Sequence, residues 1–277
     1  MTKPILFTDL DGTLIRSDGT ISDKDIKTLN LLGEMGIVRV LATGRSLFSF
    51  KKSVKTKLPL DYIIFSTGAG ICKYPKMDDE IIYRKNLTDD DVEKISSVFE
   101  QLGLNYMIHD TVPNNHIFHY KPILKSVDFA HRIKVYSKYA TPINSNFTYK
   151  DSAQLLSILD NDPNDEVLIE VRKHLKNFNV IKTTSPFDGK SLWIEVFPID
   201  VSKSHGAMWL TEKLGSEKSQ TFAIGNDYND LDLLEWAGGS AVVNNAPKDM
   251  KKRFFTVNSN NNSGVTEAIN IWLDKIQ

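Results

Sequence analysis

Ile5-Leu6-Phe7-Thr8-Asp9-Leu10-Asp11-Gly12-Thr13-Leu14 is the stretch that decides how the rest of the chain is read. The short apolar run from Ile5 to Thr8 has the character of a buried strand. Two carboxylates, Asp9 and Asp11, stand two residues apart just beyond it. If strand geometry continued they would share a face. Gly12 permits a sharp turn that aims both at one point. An acid pair that only caps a turn is the alternative for this segment taken alone.

Working outward, the first part alternates strand and helix patterns. Ser22 with Asp25 three residues on has the form of a capping box, with Asp in place of Glu. Ile26, Leu29, Leu32 and Met35 follow at helical spacing, and Gly36 is placed to end that helix. Ile37–Ala42 is a second strand running into Thr43-Gly44-Arg45, a helix pattern covers Ser46 to about Lys57, and Asp61–Ser66 is a third strand. Strands separated by helices imply a parallel sheet with right-handed crossovers. Ligands of such sheets sit at the carboxyl ends of the strands, where Asp9, Thr43 and Ser66 fall.

The character changes between about Tyr83 and Phe197. Thr88-Asp89-Asp90-Asp91 caps a helix over Val92–Leu102, Asn105–His109 is strand-like, and Asp110–Lys125 is irregular. A helix near Asp128–Tyr139 follows, then strands near Gln154–Leu159, Asn179–Thr184 and Leu192–Phe197, with a helix over Pro163–Asn177 between the first two. The alternating rhythm returns after Asp200. Ser204–Leu214 is helical, Thr221–Ile224 is a strand running into Gly225-Asn226-Asp227, Asn229–Ala237 is a helix, Ala241–Val243 a strand, and Val265–Ile276 a last helix. The Asn258–Ser263 stretch is polar and has the character of a connector. The expected architecture is α/β, a doubly wound, Rossmann-like parallel-sheet core over residues 1–82 and 198–277, with an inserted α+β cap domain over 83–197.

Composition excludes several classes. The 277 residues are 41% hydrophobic and 25% charged, an ordinary globular balance. Lys+Arg number 34 against 35 Asp+Glu, so no global basic field exists to hold nucleic acid or an anionic membrane. The single cysteine, Cys72, rules out an internal disulfide framework and a cysteine-based zinc cluster. No run approaches the ~20 apolar residues of a membrane span, and the start of the chain lacks a secretory pattern. The expected location is the cytoplasm.

Three further pieces match a phosphoryl-transfer site. Thr43-Gly44 ends a strand before a helix, where a hydroxyl and free N–H groups can hold phosphate oxygens. Lys203 starts a helix, where a cation opposes the dipole and so favours pairing with an anion; a solvated surface lysine is the bland alternative. Gly225-Asn226-Asp227-Tyr228-Asn229-Asp230 follows a strand and adds carboxylates, one of which helix capping would explain.

These four pieces, in this order, resemble the haloacid dehalogenase superfamily of phosphohydrolases. The size and place of the insertion resemble the type-IIB cap of its Cof-type, sucrose-phosphatase-like branch. Ser66-Thr67-Gly68-Ala69 and Asn244-Asn245-Ala246 are similar to short stretches of that branch. The resemblance implies that Asp9 is a nucleophile forming an aspartyl-phosphate and that Asp11 is the general acid and later the base. It implies Leu10, Thr43, Gly44, Lys203 and Asn229 around the phosphoryl group, and a Mg2+ ion held among Asp9, the Asp11 carbonyl, Asn226, Asp227 and Asp230. Two positions depart from the pattern. Asn226 stands where Gly-Asp-x-x-Asn-Asp has its first acid, so Asn226 and Asp227 compete for the direct ligand role, with Asp230 orienting ligands from behind. Thr67 replaces the Asn of Asn-Gly-Ala.

Other signals have simpler readings. Asp160–Asp165 lacks the glycine and the closing acid of a calcium loop, and Asp162 as N-cap with Pro163 at the first helical position accounts for it. His109, His116 and His119 lie close together in a polar cap loop, where a metal site is the sharper alternative. Trp193, Trp209, Trp236 and Trp272 are packing residues.

The resemblance thus implies a magnesium-dependent phosphatase acting on a small phosphorylated metabolite, a sugar phosphate by preference. The expected partner is a small-molecule phosphate ester, with no nucleic acid and no membrane, for a monomer or small homo-oligomer. The rivals are a sugar phosphomutase, which would give an isomeric ester rather than free phosphate, and a non-catalytic phospho-accepting or sugar-phosphate-binding protein.

Overall fold

The computed structural model describes residues 3–162 and 164–276. The chain divides into two compact units, Met1–Tyr83 with Ser202–Gln277, and Arg84–Val201. The chain passes into the second unit after Tyr83 and leaves it after Val201. Residues 199–201 stay with the second unit because Asn179 Nδ2 donates to the Val201 carbonyl at 2.6 Å and Lys85 pairs with Asp200 at 2.8 Å.

The first unit is built on strands β1 (Ile5–Thr8), β2 (Val38–Ala42), β3 (Tyr62–Phe65), β4 (Gly70–Lys73) and β5 (Ile81–Arg84). Later in the chain come β12 (Thr221–Gly225), β13 (Gly239–Val243) and β14 (Phe255–Val257). Their order across the sheet is β14-β13-β12-β1-β2-β3-β4-β5. The six strands from β14 to β3 are parallel, and β4 returns antiparallel on β3. All four β1 residues are buried, as a strand covered on both faces requires. Ile5 and Phe7 pack with Ala207 and Leu210 of α6 (Lys203–Lys213) and Leu233 and Leu234 of α7 (Leu231–Trp236). On the other face Trp272 of α9 (Gly264–Ile276) stacks on Phe222 at 5.2 Å. Helix α1 (Asp23–Glu34) joins α9 through Thr28 and Thr266 hydroxyls 3.1 Å apart. Helices therefore cover both faces, and the unit is doubly wound.

The second unit carries an antiparallel sheet in the order β10-β11-β9-β6-β7-β8, closed at one edge by a parallel pair, β7 with β8. The strands are β6 (Tyr106–His109), β7 (Phe118–Lys121), β8 (Ala140–Pro142), β9 (Leu155–Leu159), β10 (Phe178–Thr184) and β11 (Leu192–Pro198). Alternation along β11 sorts its faces. Leu192, Ile194 and Val196 join the core under α3 (Asp89–Gln101) and α5 (Glu166–His174), while Trp193 meets Phe129 of α4 (Val127–Val135).

Several local expectations are corrected. Ser22 caps α1, but the Asp25 carboxylate accepts from Thr266 N and Oγ1 at 2.9 and 2.7 Å, so no capping box closes there. Met35 is exposed beyond the last turn. Helix α2 (Leu47–Ser53) stops short of Lys57, and the supposedly irregular segment after Asp110 contains β7. Asp165, not Asp162, is the residue before α5; Asp162 still serves the helix by accepting from Val167 N and Leu168 N, and Pro163 lies outside the described residues. The helix expected over Asn229–Ala237 begins as a 3-10 turn, and a short helix, α8 (Lys248–Arg253), precedes β14.

The polar Asn258–Ser263 loop is more than a connector. Buried Asn260 donates from Nδ2 to the Ile15 carbonyl at 2.9 Å, and its N–H donates to Asn245 Oδ1 at 3.1 Å. Asn245 Nδ2 in turn donates to the Gly12 carbonyl at 2.7 Å. The loop thus pins the turn that follows β1. Asn260→Ala should destabilise the protein by about 1–2 kcal/mol in urea unfolding, because it leaves a backbone carbonyl unpaired. Asn262→Ala, at an exposed neighbour, should stay within about 0.5 kcal/mol.

Candidate active site

The crossovers leave β1 in one direction and β12 in the other, so the sheet switches between these neighbours. Ligands bind at such a point, beyond the carboxyl ends of the strands. Asp9 follows β1 there, with its N–H donating to Ile224 O at 2.9 Å. Thr43-Gly44 follows β2, and Asn226 follows β12.

Lys203, the first residue of α6, extends its ammonium into this point. Its Nζ donates to Asp9 Oδ1 at 2.7 Å and to Asp230 Oδ1 at 2.5 Å. All three side chains are buried, Lys203 completely so. Two carboxylates share one cation, and the balance shows at Asp9 and Lys203. Burial first, and the Asp230 charge second, push the Asp9 carboxyl up to about 7 despite Lys203; Asp11 adds to the rise. Burial works to lower the Lys203 ammonium, but Asp230 and Asp9 together hold it above the ordinary lysine range.

The loop after β12 is shaped by the other oxygen of Asp230, which accepts from Asn226 N at 2.8 Å and Asp227 N at 3.1 Å. Gly225 makes this approach possible, since a Cβ there would lie 2.6 Å from Asp230 Oδ2. The Asp227 carboxylate accepts from Tyr228 N at 2.8 Å and caps the 3-10 turn. The Asn226 carboxamide reaches Asp9. One of its terminal atoms lies 3.2 Å from Asp9 Oδ2, 2.8 Å from the Asp11 carbonyl and 2.9 Å from Thr13 Oγ1. A magnesium ion with oxygen ligands at about 2.1 Å in an octahedron sets neighbouring ligands about 3 Å apart. The Asn226 terminal atom stands at that spacing from both Asp9 Oδ2 and Asp11 O. Of the residues expected at a metal, the structure thus gathers these three; Asp227 and Asp230 are occupied in building the loop. Gly12, at φ +74°, is tied to the same corner, because a Cβ there would lie 2.7 Å from the Asn226 amide.

On the other side of Asp9 lies a set of small polar groups. A Cβ on Gly44 would lie 3.5 Å from Thr67 Oγ1 and 3.6 Å from Asn229 Nδ2, so a hydroxyl and an amide donor flank bare backbone. Thr43 Oγ1 accepts from Arg45 N at 3.1 Å, which fixes its rotamer. The Leu10 side chain is buried, and its carbonyl anchors the turn by accepting from Leu14 N and Ile15 N at 3.1 and 2.8 Å. Ser66 and Thr67 both take left-handed backbone, φ 49° and 56°. Their N–H groups donate to the Arg45 and Thr43 carbonyls at 2.9 and 3.1 Å. A β-branched residue is strained there, whereas asparagine tolerates left-handed backbone. Gly68, at φ +104°, packs against the Ser202 carbonyl and so seats the start of α6.

The Asp11 carboxylate turns outward and is gripped by Arg45, with Nε to Oδ2 and Nη2 to Oδ1 both at 2.6 Å. Arg45 is itself held by Ser49 Oγ at 3.4 Å and by Ser53. Reasoning from the sequence passed over Arg45, although it directly follows Thr43-Gly44. Asn245, noted only as part of a resembling stretch, and Asn260, read as part of a connector, hold the Gly12 turn. His109, His116 and His119 of the second unit sit against the rings of Phe118, Tyr139 and Phe147. Trp209 and Trp236 pack in the core of the first unit, against Tyr83 and Phe7.

This arrangement has known counterparts. Residues 6–269 match the haloacid dehalogenase-like hydrolases. The chain belongs to this family. A Streptococcus pyogenes protein named for phosphatase activity is 27% identical, with 99% of each chain covered. A Bacillus subtilis 5-amino-6-(5-phospho-D-ribitylamino)uracil phosphatase is 24% identical over 96% of this chain and 94% of its own. Among solved structures, a Bacteroides thetaiotaomicron phosphatase of the superfamily superposes with a TM-score of 0.78 at 20% identity, over 97% of this chain and 94% of that one. A subclass IIB sugar phosphatase gives 0.75 at 17% identity, over 98% and 99%. Family membership and these relatives make this haloacid dehalogenase-like hydrolase a phosphatase. No helix among its described residues is long and apolar enough to cross a membrane.

Two outcomes are expected from the site. With divalent cations chelated, a carboxyl raised to about 7 from 3.8 favours the folded state while protonated. That contribution is complete below pH ~4 and is lost as the pH rises through about 7. Melting temperatures taken across this window in chelator should fall, and Asp9→Asn should remove Asp9's part of the slope. Thr67→Asn should raise stability by about 1 kcal/mol through relief of left-handed strain, measured by urea unfolding.

Proposed function

We propose that this enzyme is a cytoplasmic, magnesium-dependent phosphatase that hydrolyses a small sugar phosphate through an aspartyl-phosphate on Asp9. The supporting observation is the division of labour at the Asp9 carboxylate. Oδ1 is held by the Lys203 ammonium, while Oδ2 faces Asp11 O and the Asn226 amide. One oxygen can therefore attack phosphorus while the other stays fixed. The sugar-phosphate preference draws support from the subclass IIB sugar phosphatase of similar fold. The Arg84–Val201 unit would set specificity as a cap.

In the first step Asp9 Oδ1 attacks phosphorus, the bond to the ester oxygen breaks, and Asp11 supplies that oxygen with a proton. The Lys203 ammonium passes from two carboxylates to the phosphoryl oxygens, and Thr43, Gly44 N–H, Thr67 and Asn229 offer donors to the rest. In the second step water attacks phosphorus, Asp11 takes the proton, and the bond to Asp9 breaks to restore the carboxylate. A divalent cation held by Asp9 Oδ2, Asp11 O and Asn226 would supply charge neutralisation. Arg45 grips both oxygens of the Asp11 carboxyl group. Asp11 must leave Arg45 to reach the ester oxygen, and Arg45 is then available to the substrate's anionic end.

Asp9→Asn should reduce turnover by at least about 1000-fold, with the fold intact by circular dichroism. Asp11→Asn should cost more with a sugar phosphate, whose alkoxide needs a proton, than with p-nitrophenyl phosphate. A phosphate-release screen over sugar phosphates, nucleotides and phosphorylated cofactors tests the substrate class. An isomeric ester in place of free phosphate would make the enzyme a mutase.

A further inference from the structure

The Asn226 carboxamide has three neighbours on one side, and their chemistry is unequal. The Asp11 carbonyl and an ionised Asp9 carboxylate can only accept hydrogen bonds, whereas the Thr13 hydroxyl can accept or donate. With the amide oxygen turned toward them, only Thr13 Oγ1 is satisfied, by donating to Oδ1 at 2.9 Å. With the amide nitrogen turned toward them, it donates to Asp9 Oδ2 at 3.2 Å, Asp11 O at 2.8 Å and Thr13 Oγ1 at 2.9 Å. Amide nitrogen and oxygen are nearly the same size, so either orientation occupies the same space. Thr13 is fully buried and serves both orientations by rotating its own hydrogen.

We propose that Asn226 is a reversible gate on the cation position, resting on the metal-dependent reading above. Without a cation, its nitrogen closes the site by bridging the two oxygens that would bind one. With a cation, the amide turns over and its oxygen joins those two as a neutral ligand. An acid at position 226 could do only half of this. It would bind a cation more strongly. With no cation it would set carboxylate oxygens against Asp9 Oδ2 and Asp11 O, beside a cluster in which one ammonium already serves two carboxylates. The asparagine thus gives up metal affinity for a site that is internally satisfied when empty. The consequence is weak, readily reversible metal binding and a fold that does not depend on the metal.

The test reads binding and stability, not turnover. Magnesium affinity is measured by calorimetry, and melting temperature in chelator, for the wild type, Asn226→Asp and Asn226→Ala. Both variants should melt at least about 3 °C below wild type in chelator. On magnesium they should diverge, with Asn226→Asp binding at least about 10-fold tighter and Asn226→Ala at least about 10-fold weaker. Magnesium should then restore most of the lost melting temperature in Asn226→Asp alone. Unfolding of Asn226→Asp in chelator with recovery in magnesium supports the gate in its strongest form. Unchanged melting of both variants in chelator, or equal magnesium affinities in all three proteins, overturns the gate while leaving the metal-dependent reading standing. Absence of any magnesium binding to the wild type overturns both.

Discussion

Two buried carboxylates drawn to one buried ammonium set the terms for the rest of this active site. Asp9, Asp230 and Lys203 come from the end of β1, the turn before α7 and the start of α6. They meet only because the sheet reverses its winding between β1 and β12. The cluster is buried and carries more negative than positive charge, so Asp9 is held above the ordinary aspartate range. A site in this condition attracts positive charge, and the need grows when a phosphoryl group takes a share of the lysine. Gly68 and Gly225 allow the close approaches that bring Lys203 and Asp230 in.

Around this cluster, fixed backbone matters more than charge. Asp230 spends its second oxygen on two N–H groups and so decides where Asn226 points. Asn245 and Asn260 hold the Gly12 turn by carbonyl hydrogen bonds, and Gly12 leaves room for the Asn226 amide. The Ser66-Thr67-Gly68 turn keeps two non-glycine residues in left-handed backbone to tie the β2 and β3 loops together. Against this rigid frame Asp11 and Arg45 stand out as an exchangeable pair, more exposed than any of the buried groups.

The core was legible where one short segment carries both its structure and its chemistry. The β1 run with Asp9 at its end, the strand ending in Thr43-Gly44 and the start of α6 with Lys203 each announce themselves within a few residues. What the sequence concealed are contacts made at a distance. Asp25 looks like a cap for its own helix and instead serves Thr266, 241 residues away. Asn260 looks like loop filler and instead holds Ile15. The competition between Asn226 and Asp227 could not be decided from spacing. The turn decides where each side chain goes, placing Asn226 beside Asp9 and Asp11 while Asp227 caps the turn, and Asp230 sets that turn through two N–H groups. Short edge strands such as Ala140–Pro142 have too few residues to show a period.

The account rests on Asp9 becoming covalently phosphorylated. Rapid acid quenching during turnover of a readily hydrolysed phosphate ester, followed by peptide mass spectrometry, tests this most directly. The account predicts a hydroxylamine-labile phosphoryl group on the peptide that contains Asp9, formed no more slowly than turnover and absent from Asp9→Asn. Phosphate on another residue, or a pre-steady-state time course in which product phosphate forms with no phosphorylated enzyme at any quench time, would contradict it.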